Sequence, residues 1–496
     1  MDSSTSGSRA NARKDGCIFN PALRIPSLLL LVLTLIVLLG YQTNAYTHWA
    51  ARLTPNLPRP DLSSYGADLT IPGGDGGDGR KTLKVATVAE ALFPVDSPAE
   101  DRSIFAENER MLRRLLGCMQ DGTCGRNQTK IVILASSPFR GLLNGDNGGE
   151  AIWANSAVIS LRNLGYSYLY TSTLAQAVAL YQIFGVLVPV LIVDGADSKH
   201  CFADEDGHGG RLECVQKRNR PHGVPIWKML SFHFWDGPEH PLGRKWTLNP
   251  EPYRPAPENN TYLGYSVEPQ CARQPFVPHS QRKAQAWVFA KNADYFHPEQ
   301  RAWAPEAFRR AVEVLSSEPS LNESTPQEGF RFLAGVRDKT LPEYWPPDVE
   351  NGGLLPQAEF YAALAQSRVL VGMGRPAASP TPYDALCVGV PFINPIRDWD
   401  RSQPDDRSRW RSQHNTLKHL DPPYVYNVFK GDEDGFVDAV WNAVRTPIES
   451  FVLPAMRMGA VEQRLGQILE TDWRGEAERV LEERKKSGKG VEFWVD

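Results

Sequence analysis

Several features that assign a function directly are missing from this chain of 496 residues. The formal net charge is −4 and no basic block is long enough to bind nucleic acid, so no nucleic-acid partner is expected. The 39 prolines and 13 tryptophans are spread along the chain and form no low-complexity tract. The chain is too long for one hydrophobic core, so the sequence predicts two or three domains.

Cysteine is scarce as well, with seven residues in the chain. Cys17 precedes the longest apolar run and is a candidate for palmitoylation. The other six can pair completely in an oxidising compartment. The local pairs Cys118–Cys124 and Cys201–Cys214 are favoured, and the sequence alone leaves the full connectivity open.

Common metal-binding patterns are also absent. Histidines and cysteines cluster between residues 200 and 222, but their spacing fits no common zinc pattern: His200, Cys201, His208, Cys214 and His222. Asp-x-Asp triplets begin at residues 204, 398 and 432, and among 58 acidic residues such triplets are expected by chance. No metal cofactor is therefore predicted.

An uncharged apolar run covers residues 25–41, and about 17 such residues are at the lower end of what spans a bilayer. A signal peptide is the alternative, but the run is longer than usual and no small-residue cleavage site follows it. Basic residues precede the run and predict that residues 1–24 stay in the cytosol: Arg9, Arg13, Lys14 and Arg24. The sequence thus predicts a type II anchor with a lumenal body, and the short span favours a Golgi membrane.

Three Asn-x-Ser/Thr sequons follow this run, where glycosylation can occur. They begin at Asn127, Asn259 and Asn322. Together with the six cysteines, they agree with a lumenal body.

Residues 42–128 are predicted to form a stem, because the part up to about residue 84 is rich in proline, glycine and aspartate. Ser97, Pro98 and Glu100 form a capping box that predicts one helix, ending near Gly117. Its apolar stripe spans only two heptads, so docking on the body is favoured over a coiled coil.

The stretch from Lys130 to Gly165 contains a strand, a glycine-rich loop and a helix. Its first residues are apolar and mostly β-branched, which predicts a strand buried in a parallel sheet. Ligands in such sheets bind beyond the carboxyl ends of the strands, so Glu150 at the helix start faces a ligand cleft. The alternative is a first-turn acid that complements the helix dipole. No G-x-G-x-x-G spans the turn, so no pyrophosphate is predicted there.

Alternating strands and helices continue and predict a parallel α/β sheet. Strands are expected over residues 166–170 and 186–193, with a helix over 174–184. Residues 194–260 are irregular and aromatic. Most aromatic residues belong to cores, and some have faces that suit sugar rings.

A second alternating region begins at Ala286. Strands are expected over residues 286–291, 330–336 and 368–373, and a helix over 357–366. Closing helices are expected over 432–444 and 461–484.

A glycine motif, Gly372-x-Gly374-x-x-Ala377, follows the last of these strands. It formally matches a loose dinucleotide pattern, but later prolines delay the helix, so the match is discounted. A helix that starts at Pro382 aims Asp384 at the cleft, where a carboxylate can accept from ribose hydroxyls and helix N–H groups can hold phosphate. An ordinary helix-capping acid is the alternative.

Several blocks, in this order, resemble the catalytic domain of glycosyltransferase family 18: GGEAIWANSAVISLRNLGYSYLYT, KWTLNPEPY, TYLGYSVE, VFAKNADYF, LVGMGRPAASPTPYDALCVGVPFINP and PPYVYNV. The resemblance runs from about Lys130 to the C-terminus and does not include the stem. It implies an α/β protein of GT-B type, in which two Rossmann-like domains face a cleft. Residues 129–280 form the expected acceptor domain, and residues 281–496 form the donor domain with closing helices.

In this resemblance Glu150 occupies the position of the family's proposed catalytic base. Asp384 stands where the family has a glutamate that contacts the nucleotide sugar, and Lys291 matches a lysine at the strand end that opens the second domain. Further donor contacts are expected from Gly374, Arg375 and Arg397, and acceptor contacts from Trp235, Trp246 and Tyr262.

Two departures from the family pattern lie on the donor side. Ala377, Ala378 and Ser379 replace Tyr-Glu-Gly, and Arg397 replaces a lysine after Asn-Pro. These changes bear on the donor sugar more than on the reaction class.

The resemblance implies a Golgi enzyme that moves N-acetylglucosamine from UDP-N-acetylglucosamine onto a mannose of protein N-glycans, in a β-1,6 linkage. The transfer is inverting and needs no metal, since helix N-termini and basic side chains can meet the charge of the departing UDP. A transferase with another donor or acceptor, and a catalytically silent lumenal carbohydrate-binding protein, are the alternatives.

Overall fold

A computed structural model describes residues 88–93, 95–203, 214–317, 329–488 and 493. The predicted tail, the predicted membrane anchor and most of the stem lie outside these residues, as do Cys17 and Asn322. The chain divides into two compact units, Met1–Asp96 and Ser97–Asp496. The described part of the first unit contains helix α1 (Val88–Leu92). No helix in the described ranges is both long and apolar enough to cross a membrane.

The second unit begins with helix α2 (Ile104–Asp121), whose N-cap is Ser103. The prediction that Ser97 caps the start of this helix is wrong. Its hydroxyl donates to the carboxylate of Glu109, inside the helix, and Ser103 caps the first turn instead. Asn108 bonds both backbone groups of Tyr170 at 2.8 Å. The helix therefore docks on the body, as the sequence favoured.

The first sheet has six strands, all parallel, in the order β2-β1-β3-β4-β5-β6. They are β1 (Ile131–Ala135), β2 (Ser167–Tyr170), β3 (Leu191–Asp194), β4 (Met229–Phe232), β5 (Thr247–Asn249) and β6 (Thr261–Tyr262). Every residue of β1 is buried, as expected for an apolar strand covered on both faces. The predicted parallel sheet is confirmed.

Five helices accompany this sheet: α3 (Ser137–Leu143), α4 (Gly149–Asn163), α5 (Leu174–Phe184), α6 (Gly195–Ala203) and α7 (Glu268–Cys271). The helix predicted over 174–184 is confirmed in full. The strand predicted over 186–193 is wrong in its first half, because residues 185–187 form a 3-10 turn and Pro189 has no N–H for a sheet ladder.

The second sheet has seven strands: β7 (Gln285–Phe289), β8 (Arg331–Ala334), β9 (Val349–Asn351), β10 (Val369–Gly372), β11 (Phe392–Asp398), β12 (Arg411–Ser412) and β13 (Val425–Phe429). Their order is β12-β11-β10-β7-β8-β9, and β13 pairs with β11. β12 is antiparallel to β11, and the other pairs are parallel.

The helices of this region are α8 (Pro305–Ser316), α9 (Gln357–Ala365), α10 (Thr381–Cys387) and α11 (Glu433–Arg445). A buried aromatic group fills the core between β8, α8 and α11. The rings of Trp303 and Phe436 stack at 4.8 Å, and Phe308 meets Phe332 and Phe436 edge-on. Such aromatic contacts stabilise a core beyond the area they bury.

Two closing helices, α12 (Met458–Glu470) and α13 (Trp473–Ser487), replace the single helix predicted over 461–484. The break follows from Asp472, whose carboxylate accepts from the Gly475 N–H at 3.0 Å and caps α13. Helix α12 packs along α4, and Trp473 meets Trp246 with ring centres 5.5 Å apart. The chain therefore ends against the first sheet.

Three disulfides are present: Cys118–Cys124, Cys201–Cys214 and Cys271–Cys387. The two favoured local pairs are confirmed, and the remaining two cysteines form the third bridge. This long-range bridge joins α7, beside the first sheet, to α10, beside the second.

Candidate active site

The first turn of α4 lies beyond the carboxyl end of β1. Gly148 is the N-cap, no side chain caps this helix, and the first intrahelical bond runs from the Ile152 N–H to the Gly148 carbonyl at 3.0 Å. The preceding N–H groups of the turn therefore have no acceptor within the helix. Glu150 stands in this turn with an exposed side chain.

Gly149 forms a close contact between the two sheets. A Cβ at this position would lie 3.1 Å from Cδ of Pro380 and 3.3 Å from Cζ of Phe234. Since real Cβ atoms rarely approach so closely, a side chain at Gly149 would have to displace a ring on one side. Glycine thus lets α4 begin directly against the loop that precedes α10.

Cavity A, about 600 Å³ in volume, opens around Glu150. Its walls come from the glycine-rich loop, from residues 376–380 and from aromatic side chains after β4. Trp235 lines it with half of its surface exposed, and Lys291 lines it from the end of β7. Cavity A therefore contains three of the residues predicted for the site: Glu150, Trp235 and Lys291.

Cavity B, about 240 Å³, adjoins cavity A and shares the Gly148–Gly149 turn, Lys291 and Pro380 with it. Its wall is largely aromatic and aliphatic, from Trp287, Phe289, Leu354, Phe360 and Tyr361. Asp384 lines it as well. The two cavities form one connected cleft with an acid in each part.

Asp384 is 3% exposed and accepts a hydrogen bond from the Tyr361 hydroxyl at 2.8 Å. It does not act as an N-cap of α10, since Pro380 holds that position without a side-chain bond. Burial raises the pKa of Asp384 to about 7. A buried carboxylate with one hydroxyl partner retains acceptor capacity for a ligand.

The predicted donor contacts Gly374, Arg375 and Arg397 surround the start of the 374–380 loop and line neither cavity. Gly374 has a φ of 97°, and its N–H donates to Oε1 of Gln413 at 2.8 Å. Gln413 also donates to the Pro376 carbonyl at 3.1 Å. The pKa of Arg397 is lowered, mainly by partial desolvation and to a smaller extent by the positive charges of Arg375 and Arg411. Exposed arginines therefore gather beside the loop, outside the cleft.

Two predicted acceptor contacts also lie outside the cleft. Trp246 is 1% exposed and packs between His240 and Trp473. The Tyr262 hydroxyl donates to Sδ of Met456 at 3.4 Å, and Arg464 covers its ring. Their packing gives both residues a structural role, and acceptor contact by them remains a prediction.

Two of the three predicted sequons lie among the described residues, and the asparagine of each is partly buried. Nδ2 of Asn127 donates to the Leu164 carbonyl at 2.9 Å, and Asn259 is half-buried. Of the histidines and cysteines between residues 200 and 222, Cys201 and Cys214 are bonded to each other in a disulfide. Within the described ranges, no group of three or more His, Cys, Asp or Glu side chains could hold a metal ion.

One functional candidate was missed by the sequence analysis. Glu251, after β5, is 2% exposed and accepts from the hydroxyls of Tyr265 at 3.1 Å, Tyr383 at 3.0 Å and Thr416 at 2.6 Å. Nε2 of His414 lies 3.9 Å away. We call these five residues the Glu251 cluster. Because Tyr383, His414 and Thr416 lie more than 130 residues after Glu251 in the chain, no local sequence pattern predicts these contacts.

Burial raises the pKa of Glu251 to about 7 and lowers that of His414 to about 3. His414 is therefore neutral near neutral pH, and the contact with Glu251 is not an ion pair. Among the described residues, no Lys or Arg forms an ion pair with Glu251. Hydroxyl groups alone satisfy this carboxylate.

The substitution Glu251→Gln is expected to flatten the pH dependence of stability. Between about pH 4.5 and 7 the folded chain keeps a proton on Glu251 that the unfolded chain has released, so the free energy of unfolding falls as pH rises. The loss is on the order of 3 kcal/mol across this window for one carboxyl. Urea unfolding of the wild type and the variant at a series of pH values gives the free energy of unfolding of each. If this free energy falls with pH as steeply in the variant as in the wild type, Glu251 does not have the raised pKa.

Two α/β sheets share a connected cleft at the carboxyl ends of their strands, which is the position where ligands of such folds bind. Residues 234–473, just under half of the chain, match the model of glycosyltransferase family 18. The resemblance to this family is confirmed. The matched stretch includes Trp235, Lys291 and Asp384 and begins after Glu150.

Relatives with assigned names agree with this match. The chain is 22% identical over 220 residues to alpha-1,6-mannosylglycoprotein 6-beta-N-acetylglucosaminyltransferase B of Mus musculus, covering 42% of this chain and 26% of that protein. It is 24% identical over 261 residues to the A enzyme of Cricetulus griseus, covering 50% and 32%. The chain thus spans about a quarter to a third of the length of these relatives.

Similarity to solved structures is weak. The glycosyltransferase of kitacinnamycin aligns with 71% of this chain and 98% of its own, at 13% identity and a TM-score of 0.32. At that score the likeness supports no argument about this chain.

Proposed function

We propose that this protein is an inverting glycosyltransferase of GT-B type that transfers N-acetylglucosamine from UDP-N-acetylglucosamine to a mannose of protein N-glycans. The family match and the names of the relatives support the reaction class. The observation that carries the proposal is the connected cleft, with Glu150 in cavity A and Asp384 in cavity B.

Glu150 is the general base of the proposed reaction. Its exposed carboxylate can take the proton of the acceptor hydroxyl as that oxygen attacks the anomeric carbon of the donor sugar. The bond from this carbon to the diphosphate breaks on the opposite face, and its electron pair leaves with UDP. The configuration at the carbon is thereby inverted. Trp235 at the rim of cavity A offers an exposed ring on which an acceptor sugar can stack.

Cavity B is the proposed site of the donor nucleotide. Its aromatic wall suits a base, and Asp384 can accept from ribose hydroxyls. Lys291 and the first turn of α4, whose N–H groups have no acceptor within the helix, both line the part that the two cavities share. These positive groups can stabilise the charge on departing UDP without a metal ion.

A Golgi membrane is the proposed location. The uncharged run over residues 25–41, the basic residues ahead of it and three disulfides support a type II protein with its body in an oxidising lumen. The proposed linkage is a β-1,6 branch, which follows the names of the relatives.

The test is UDP release by the purified full-length chain with a panel of nucleotide sugars, with and without a mannose-terminated biantennary glycan, in EDTA. Release is expected only when UDP-N-acetylglucosamine and the glycan are both present. Activity with another donor would replace the assigned substrate. UDP binding without turnover of any donor would favour the silent carbohydrate-binding protein.

A further inference from the structure

Helix α10, which carries Asp384, has seven residues, and a helix so short does not hold its own orientation. Groups outside the helix hold its C-terminal end. Cys387 is bonded to Cys271, and the buried guanidinium of Arg282 donates to the Val388 carbonyl at 2.9 Å and to the carbonyl of Gly389. This end is therefore fixed to the segment between the two sheets.

The other end of α10 is held by the Glu251 cluster. Tyr383 is buried, and its hydroxyl donates to Oε2 of Glu251 at 3.0 Å. Thr416 donates to the same oxygen at 2.6 Å. Glu251 follows β5 of the first sheet, whereas Tyr383 and Thr416 belong to the side of the second sheet. One carboxylate oxygen thus joins the two sides.

Tyr383 and Asp384 are neighbours in α10, and neighbouring side chains on a helix point about 100° apart. Tyr383 points into the cluster, while Asp384 points into cavity B and meets Tyr361. Because the two residues share one peptide bond in the same helical turn, the bond that fixes Tyr383 also restricts the direction of Asp384.

We propose that Glu251 is a positioning residue for binding of the nucleoside diphosphate donor. It acts through Tyr383 to hold the first turn of α10 where Asp384 faces cavity B. The inference rests on the proposed function for the identity of the donor, and its mechanical part stands on the contacts alone.

The cost of the cluster supports a role beyond stability. A carboxylate without a cationic partner is costly to bury, and apolar side chains of similar volume would often stabilise the same space as well or better. The polar groups in contact with Glu251 are Tyr265 from the segment after β6, Tyr383 from α10, and His414 and Thr416 from the segment after β12, and Tyr253 and Tyr262 lie within electrostatic range. Three hydroxyl donors from three segments give a fixed geometry that apolar contacts would not.

The test compares two matched substitutions in the full-length chain, Tyr383→Phe and Tyr265→Phe. Each removes one hydroxyl from Glu251, but only Tyr383 lies on α10. Tyr383→Phe is expected to weaken UDP binding, measured by calorimetry, and to raise the donor KM, each about tenfold. Its kcat and acceptor KM are expected to stay within about twofold. Tyr265→Phe is expected to lower the melting temperature similarly and to leave UDP affinity within about twofold.

Equal losses of UDP affinity in both variants, or none in Tyr383→Phe, would overturn the proposal. A wild-type chain that does not bind UDP would instead refute the proposed function. Hydrogen exchange of residues 381–388 then tests the positioning step by itself. Faster exchange in Tyr383→Phe than in Tyr265→Phe supports it, and equal exchange rejects it.

Discussion

Replacing Glu150 with glutamine is expected to lower kcat by about 100- to 10,000-fold, the usual contribution of a general base. Glutamine has the same shape but cannot accept the proton of an acceptor hydroxyl. Because Glu150 is exposed in the first turn of α4, its loss should leave the fold intact. UDP affinity is expected to stay within about twofold, since Asp384 and cavity B are unchanged.

This substitution also separates the two interpretations of Glu150. An acid that only complements the helix dipole contributes about 0.3–1 kcal/mol to stability and nothing to the rate. Asp146→Asn is the matched control, because Asp146 is an exposed acid in the same loop and lines the same cavity. A large loss of kcat in Asp146→Asn with full activity in Glu150→Gln would move the base to Asp146.

Removing the Cys271–Cys387 bridge is expected to give the largest loss of stability. The bridge spans 116 residues, and a loop of about that length restricts the unfolded chain by about 5 kcal/mol in the chain-entropy relation. Substitution of both cysteines by alanine should therefore shift the urea midpoint strongly downward. The same bridge also ties α10 to α7, so amide exchange should rise at the C-terminal end of α10.

The Cys118–Cys124 bridge provides the control. It spans six residues, and its loss should cost about 2 kcal/mol by the same relation. Urea unfolding of the two double-alanine variants, side by side, compares a long loop with a short one. Equal destabilisation would contradict the loop-length argument.

The sequence predicted the elements whose pattern is strong. The run before the glycine loop gave β1, and the apolar spacing from Leu174 gave α5 with both ends correct. Glu150 and Asp384 were predicted at one cleft because each stands in the first turn of a helix that follows a strand of a parallel sheet, and such positions share an edge. Lys291 was predicted there from the resemblance to the family. Each of the three lines cavity A, cavity B or both.

Other features could not be predicted, for physical reasons. β5 and β6 have three and two residues, which is too short for any periodicity to appear. Trp246 was expected at the acceptor because an aromatic ring suits both a sugar and a core, and only its packing against Trp473 distinguishes the two. Two of the three hydroxyl contacts of Glu251 come from residues more than a hundred positions away in the chain, since 132 residues separate it from Tyr383 and 165 from Thr416.

The contact at Gly149 has a consequence for substrate size. Cavities A and B meet at the Gly148–Gly149 turn, where backbone, rather than a movable side chain, faces the ring of Pro380. Because glycine has no side chain to rotate, a rotamer change at that turn cannot alter the width of the passage between the two cavities. Widening on the Pro380 side requires a displacement of the 374–380 loop, and Gln413 holds that loop with its side chain at Gly374 and Pro376 and with its carbonyl, which accepts from the Ala378 N–H at 3.3 Å.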